Sequence, residues 1–558
     1  MINKAKKHIV KIVQESIKEI YSIKGLHISV ERTRDEKFGD FSTNAAMMHS
    51  HKLKESPISI GEKLCKNIQQ SLSKDLLIDK VELIKPGFIN FYVSKKFWID
   101  VFREVVLAGE NYGRSNTGDG KKILVEFVGS NPTGPLNVVS ARAASIGDSL
   151  CNILSFNGYD VKREFYINDA GEQVSRFVES LIARYKQIYN PDFPFPEEGY
   201  HGDYVKDMAK DMAEELDKIY GRSLLGKIDD DVWNRCRSFY LSRILGDQKR
   251  DVEDFGVKFD KWFSEETLHV EKINSAWIKL KKLGFTYEKD GAIWFQSTKF
   301  GDDEDRVLIR KYGAPSYFLA DIAYHLDKFN RGFDKAIDFM GPDHHGHISR
   351  LKMAMKALGI DEKWLDIFIV QQVNLMRSGE KIKMSKRAGR FETMRDLVAE
   401  VGKDAARFFF LIRTQSSHLD FDLNLAKEKS SKNPVYYIQY AHARICNILK
   451  HAEEEKISIE KIDKVNTELL NKPEEIELAK TLTGFKDICE ISALTYAPHR
   501  IAGYLLKLAG IFHNFYNKNR VITENKELTV ARLLIVKSTR IVLANGLRLL
   551  GISAPERM

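Results

Sequence analysis

The sequence predicts an α/β protein: a doubly wound parallel sheet in the middle, a smaller α/β unit before it and an all-helical bundle after it. Three observations carry this reading. Strand and helix patterns alternate from residue 114 to about 410. Two β-turn-α-β units stand inside that stretch, each with a turn rich in Gly and Pro. From Asn433 onward strand signals vanish and apolar residues recur at helical spacing.

Residues 1 to about 113 open with MINKAKKHIVKIVQ, an amphipathic helix whose apolar segments are too short for a secretory core. Val81-Glu82-Leu83-Ile84 and Phe88 to Val93 read as strands around Pro86-Gly87. In the first β-turn-α-β unit, Ile123, Leu124, Val125, Phe127 and Val128 form the apolar run of a strand covered on both faces. Asn131-Pro132-Thr133-Gly134-Pro135 ends that strand. A helix follows from about Val138, with Arg142, Ile146, Leu150 and Ile153 near helical spacing, until Asn157-Gly158 stops it. Val161 to Ile167 reads as the next strand, and a mostly helical insertion spans about 174 to 285. The second unit runs from Ala336-Ile337-Asp338-Phe339 through Gly341-Pro342-Asp343-His344-His345-Gly346-His347 into a helix ending near Gly359, then a strand from Ile367 to Val373. In the last part, from 411 to 558, Ile501, Tyr504, Leu505, Leu508, Phe512 and Phe515 keep the i, i+3, i+4, i+7 rule of one helix face.

At 558 residues, 30% charged and 43% hydrophobic, the composition is that of a soluble globular chain of several domains. No apolar run reaches membrane-spanning length. Five scattered cysteines suit a reduced cytoplasm and argue against a cysteine-based zinc site. His344, His345 and His347 lack a Cys or carboxylate at ligand spacing, so no metal site is expected. Net charge is +9, and from Arg500 to Met558 ten Lys/Arg stand against three Glu. Basic residues interleaved there with Tyr504, Phe512, Phe515 and Tyr516 suit a nucleic-acid-binding face, although a solvated charged face over an ordinary core reads the same way.

Two stretches carry chemistry. A helix N-terminus after a strand and a tight turn offers free N–H groups to an anion, and phosphate is the natural one at Asn131–Val138. About 250 residues later, Lys383-Met384-Ser385-Lys386-Arg387 lies between Gly379 and Gly389. Two lysines brought over a triphosphate would stabilise charge on a departing pyrophosphate.

Together these strings resemble the two signatures of class I arginyl-tRNA synthetases: VEF, then NPTGPL, then an H-x-G-H tetrad, and later K-M-S-K. The resemblance runs from Gly39-Asp40 to the terminal Leu550–Met558. It implies a class I synthetase, Rossmann-like catalytic domain (114–410), an N-terminal additional domain (1–113) that contacts tRNA, and a C-terminal anticodon-binding bundle (411–558). It also implies L-arginine, ATP with Mg²⁺, and tRNA(Arg) as substrates and partners of a cytoplasmic monomer. Arginine's carboxylate would attack the ATP α-phosphate, and the tRNA's terminal 2′-hydroxyl would then take the arginyl group, activation waiting for bound tRNA. The chain departs from the family at the tetrad, where Asn137-Val138-Val139-Ser140 stands.

Carried over residue by residue, the resemblance places Lys383, Ser385, Lys386, Asn137 and Ser140 in catalysis. Glu126, Asn131, Tyr317, Asp321, Gln173 and His345 fall to arginine. ATP receives Pro132, Gly134, Leu136 and Val139 from the first unit, with Gly341, Asp343, His344 and Met384 from the later strings. Asn44 falls to tRNA with the N-terminal string, and Tyr504, Phe512, Tyr516 and Arg532 are expected to meet tRNA from the basic, aromatic bundle. Charge supports the pocket independently: a guanidinium wants carboxylates, Tyr317 and Asp321 share a helix face, and Glu126 is an acid inside an apolar strand. Asn137 keeps an amide donor, Ser140 is short, and Val139 adds a branched side chain where adenine should approach. Losing one transition-state donor costs about 10²- to 10³-fold, so weak or conditional activation is expected. Two alternatives stay open. One is a catalytically silent tRNA-binding relative. The other is a small-molecule nucleotidyltransferase built on His344-His345-Gly346-His347, although Lys383 follows that string by only 36 residues.

Overall fold

The computed structural model describes residues 2–33, 35–72, 75, 77–220, 226, 228–268, 271–382 and 393–558. Its centre is a five-stranded sheet, all parallel, ordered Leu365–Ile369, Lys335–Met340, Lys122–Glu126, Asp160–Ile167, Lys261–Ser264. Numbered along the chain, that order is 5-4-1-2-3. The winding therefore reverses between the first and fourth strands, and a crevice opens beyond their carboxyl ends.

The signature helix Val138–Phe156 returns from the first strand to the second. Asn137 caps it, and Gly158 (φ +88) allows the turn that ends it. Arg142, expected merely to hold helical spacing, is fully buried, and its guanidinium donates to the main-chain carbonyls of Gln371, Thr414 and Ser417. Burial lowers its pKa to about 10. Residues 370–372 therefore leave the sheet, and the single strand expected from Ile367 to Val373 is two: Leu365–Ile369 and Val373–Arg377.

Two boundaries are corrected. The insertion supplies helices Glu172–Tyr189, Asp203–Tyr220 and Asp230–Asp254, but Lys261–Ser264, placed inside it by the sequence, is the edge strand of the main sheet. At four residues it carries too little periodicity to read. Likewise Leu419–Asp422, assigned to the helical part, pairs in parallel with Val373–Arg377.

The N-terminal unit packs helix Pro57–Leu72 on a four-stranded sheet that contains Phe41–Thr43, Ile78–Ile84 and Phe88–Val93, and helix Ile2–Tyr21 packs on that helix. Its last helix, Val101–Ala108, lies on Lys526–Leu549 of the C-terminal bundle, where the Ser538 hydroxyl donates to the Phe102 carbonyl. One apolar core runs through the N-terminal unit, the signature helix and the bundle. No described helix is long and apolar enough to cross a membrane.

Candidate active site

At the winding reversal lies a cleft of about 980 Å³. Its walls come from the turn after the first strand, the turn after Met340 and the helix Tyr317–Asn330, here the pocket helix. Val128 takes φ +73, a left-handed conformation costly for a β-branched residue. Main-chain bonds on either side, Phe127 N–H to the Glu164 carbonyl and Ser130 N–H to the Tyr166 carbonyl, hold it there. Insertion helices brace the next residues: the Tyr204 hydroxyl donates to the Thr133 carbonyl, and the Gln248 amide donates to the Gly134 carbonyl. Neither Tyr204 nor Gln248 is legible in the sequence as a brace, because their partners are main-chain atoms far along the chain.

At the phosphate end, the altered tetrad turns out to be a cap. The Asn137 Oδ1 accepts from the Ser140 N–H at 2.9 Å and from the Ser140 hydroxyl at 3.2 Å. Both residues line the cleft, as do Gly134 and Leu136. Oδ1 is thus committed to the helix, and Nδ2 is the half of the amide suited to a phosphate oxygen. Val139 and Pro132, expected beside ATP, are not among the lining residues; Val139 packs against the apolar core. The crowding feared at Val139 is corrected accordingly, because one helical step turns it away from the face that Ser140 presents.

The pocket helix supplies the charge. Tyr317 and Asp321 line the cleft from one face, joined by Asn131, Gly341, Asp343 and His344. Gln173 stands at the rim, accepting from Asn131 Nδ2 at 2.7 Å. Glu126 also lines the cleft, but it is not unpaired as the sequence suggested: Lys328 of the pocket helix forms an ion pair with it. The β register sets Asp338, Glu126 and Glu164 side by side on adjacent strands. Lys328 bonds both Asp338 oxygens at 2.8 and 2.9 Å, and Arg331 and the Tyr324 hydroxyl hold Glu164. His325 faces the Asp321 carbonyl with Nδ1 and the Asp338 carboxylate with Nε2. Both ring nitrogens therefore lie against oxygen acceptors. Three acids are thus met by Lys328 and His325 of the pocket helix and by Arg331 at its C-terminal cap. Burial would raise Asp338, but Lys328 and His325 hold it down to about 2. Burial pushes Glu126 up, aided by Asp338 and opposed by Lys328.

Glu265, which the sequence did not single out, stands on the turn after the edge strand, buried near Tyr166 and Asp321. Burial first, then the Asp321 and Asp169 charges, raise its pKa to about 7. Burial and the Asp321 and Glu265 charges also raise the Tyr317 phenol.

The remaining predicted residues lie either away from this cleft or outside the described residues. Lys383, Met384, Ser385 and Lys386 lie outside the described residues, as does the side chain of His345. Three expected tRNA contacts are corrected. Phe512 is fully buried, Tyr504 is buried with its hydroxyl on the Thr481 carbonyl, and Arg532 is buried in an ion pair with Glu475. The same spacing that predicted the helix had already placed Tyr504 and Phe512 on its core face. Tyr516 is exposed, and the Arg444 guanidinium lies 4.8 Å from its ring and 4.5 Å from that of exposed Tyr440. Asn44, half-buried, precedes a short helix in the N-terminal unit.

Three family profiles match the chain. One described as "tRNA synthetases class I (R), catalytic domain" covers residues 102–447. An arginyl tRNA synthetase N-terminal domain covers 7–93, and a DALR anticodon binding domain covers 438–558. The chain is 45% identical over 532 residues to an arginine–tRNA ligase of Desulforamulus reducens, covering 95% of this chain and 94% of that one. It is 46% identical over 533 residues to one of Geobacillus kaustophilus, with the same coverage. The fold matches that of Thermus thermophilus arginyl-tRNA synthetase with TM-score 0.72 at 20% identity, covering 99% and 100% of the two chains.

Proposed function

The chain belongs to the class I arginyl-tRNA synthetases, and from that premise we propose how its cleft divides the work of charging tRNA(Arg). It is an arginine–tRNA ligase, which activates L-arginine with ATP and transfers it to tRNA. The observation that carries the division is the placement of Asp321 and Tyr317 at one end of the cleft and the capped N-terminus of the signature helix at the other.

Arginine lies between these ends. Its guanidinium faces Asp321, with Glu265 adding negative charge from behind Tyr166 and Tyr317 closing one side. Its ammonium faces Asn131 and the Glu126 oxygen that Lys328 leaves open. ATP runs over Gly134 and Leu136 toward Gly341, Asp343 and His344. Asn137 Nδ2 and the N–H groups of the helix end stabilise charge on the α-phosphate as the arginine carboxylate attacks. Lys383 and Lys386 serve the pyrophosphate. Mg²⁺, a hard cation, would arrive with the ATP phosphates and offset their charge. The enzyme works in the cytoplasm as a monomer, with the unit 1–113 and the bundle sharing one tRNA.

The experiment is arginine- and tRNA-dependent release of AMP and pyrophosphate by the purified chain. Turnover that needs all three substrates supports the division; tRNA binding without turnover supports the silent alternative. Asn137→Ala is expected to lower the adenylation rate about 10²- to 10³-fold, the size of one lost transition-state donor. A rate within threefold of the parent's would remove Asn137 from the reaction.

Glu265 makes arginine binding depend on pH. The guanidinium favours the ionised carboxyl, so binding releases a proton below about pH 7 and strengthens as pH rises through it. The arginine KM should fall up to about tenfold from pH 6 to 8, and Glu265→Gln should flatten that slope.

For tRNA, the exposed Tyr440 and Tyr516, with half-buried Arg444 between their rings, take the place of the buried residues. Stacking on such aromatics is worth about 1–3 kcal/mol per base. Replacing Tyr440 and Arg444 by Ala should weaken tRNA binding at least tenfold while leaving the ATP KM unchanged, as filter binding and steady-state rates would show.

A further inference from the structure

His347, last residue of the His344–His347 string, takes no part in the division of the cleft described above. It sits in the first turn of the helix His345–Ala357 and reaches across to the pocket helix, where its Nε2 lies 2.5 Å from Oδ2 of Asp321. The ring is boxed by Tyr317 and Phe318, with centroids at 5.8 and 5.7 Å. A carboxylate accepts, so Nε2 is the donor and its proton lies toward Asp321. Asp321 is then held twice: His325 takes its main-chain carbonyl from beneath, and His347 takes Oδ2 from the side. Among the described residues no hydrogen bond reaches Oδ1.

We propose that His347 is a positioning and specificity-determining residue of the guanidinium pocket: by holding Oδ2 it fixes the Asp321 carboxylate and presents Oδ1 alone to the substrate. This rests on the reading of Asp321 as the guanidinium's partner. A free carboxylate can rotate and accept a guanidinium fork with two oxygens, or take an ammonium at either one. One held by an imidazole meets the substrate along a single direction. Arginine, which carries several N–H groups on a rigid plane, satisfies that direction and keeps donors for other walls; lysine, a point charge on a flexible stem, gains less from it. The string that resembles a nucleotide tetrad thus ends in a residue that serves the amino acid.

The test compares His347→Phe, His347→Gln and Asp321→Asn in tRNA charging by the full chain. Phe keeps the ring among Tyr317 and Phe318 but cannot donate; Gln can place an amide donor where Nε2 was. His347→Phe should raise the arginine KM about tenfold, the effect of one lost bond to a charged group, with the ATP KM unchanged and lysine inhibiting more strongly relative to arginine. His347→Gln should restore the arginine KM to within about threefold of the parent. A double-variant cycle with Asp321→Asn should show non-additive effects. If Asp321→Asn weakens arginine but His347→Phe does not, the proposal is overturned while the reading of Asp321 stands. If Asp321→Asn leaves the arginine KM unchanged, that reading fails and takes the proposal with it. Equal rises in the arginine and ATP KM on His347→Phe would mark a structural role and also overturn it.

Discussion

Asp321→Asn is expected to weaken arginine binding by about 2–5 kcal/mol, at least thirtyfold in affinity. The substitution keeps size and one acceptor oxygen, so its cost measures charge rather than shape. The main-chain carbonyl that His325 holds is untouched, and the side chain is not deep in the core: about a tenth of its surface is exposed. Stability should therefore change little, and ATP affinity not at all. The loss is large because Asp321 lies in a walled cleft, where a guanidinium left without its anion has given up water for nothing. Isothermal titration with arginine, beside a thermal melt, separates the two effects. Unchanged arginine affinity would remove Asp321 from the pocket.

Lys328→Met is expected to destabilise the catalytic domain by about 3–5 kcal/mol, the cost of stranding buried charge. The Lys328 side chain is fully buried between Glu126 and Asp338. Burial alone would lower its pKa, yet the two acids and Glu164 hold the ammonium above its usual range. Removing it leaves two carboxyls side by side on neighbouring strands, with His325 on only one of them. The double substitution Lys328→Met with Asp338→Asn takes away one charge of each sign and should recover part of the loss. Urea melts of the three variants decide the matter. A single variant as stable as the parent, or a double variant no better than the single, would show that the row of acids is not held by charge pairing.

Those two residues also mark where the sequence is legible and where it is not. The signature helix, its cap and its stop were readable because a helix announces its ends locally: Asn137 at one, Asn157-Gly158 at the other. The bundle was readable from its 3.6-residue period. Lys261–Ser264 was not, since four residues hold no period worth counting. Within the site, Tyr317 and Asp321 share a face by spacing alone. Glu126 stood out as an acid in an apolar strand, but its partner lies 202 residues away, on a helix whose place depends on the strand order. Asp338 sat in an equally apolar strand and carried the same signal unread. Glu265 showed nothing locally, because its burial comes from packing beside Tyr166. The tRNA residues failed for a different reason: apolar periodicity and base stacking ask for the same side chains, and Tyr504 and Phe512 obeyed the periodicity.

Selection of a cation by the carboxylates of the cleft is the central proposal. Citrulline has arginine's shape and length but no charge, so the direct measurement is tRNA(Arg) charging by the parent chain with arginine and with citrulline. A site built to bind a charged, hydrogen-bonding group should discriminate by about 10⁴-fold or more in kcat/KM. Citrulline charged within tenfold of arginine would contradict the claim that Asp321 and its neighbours read the guanidinium.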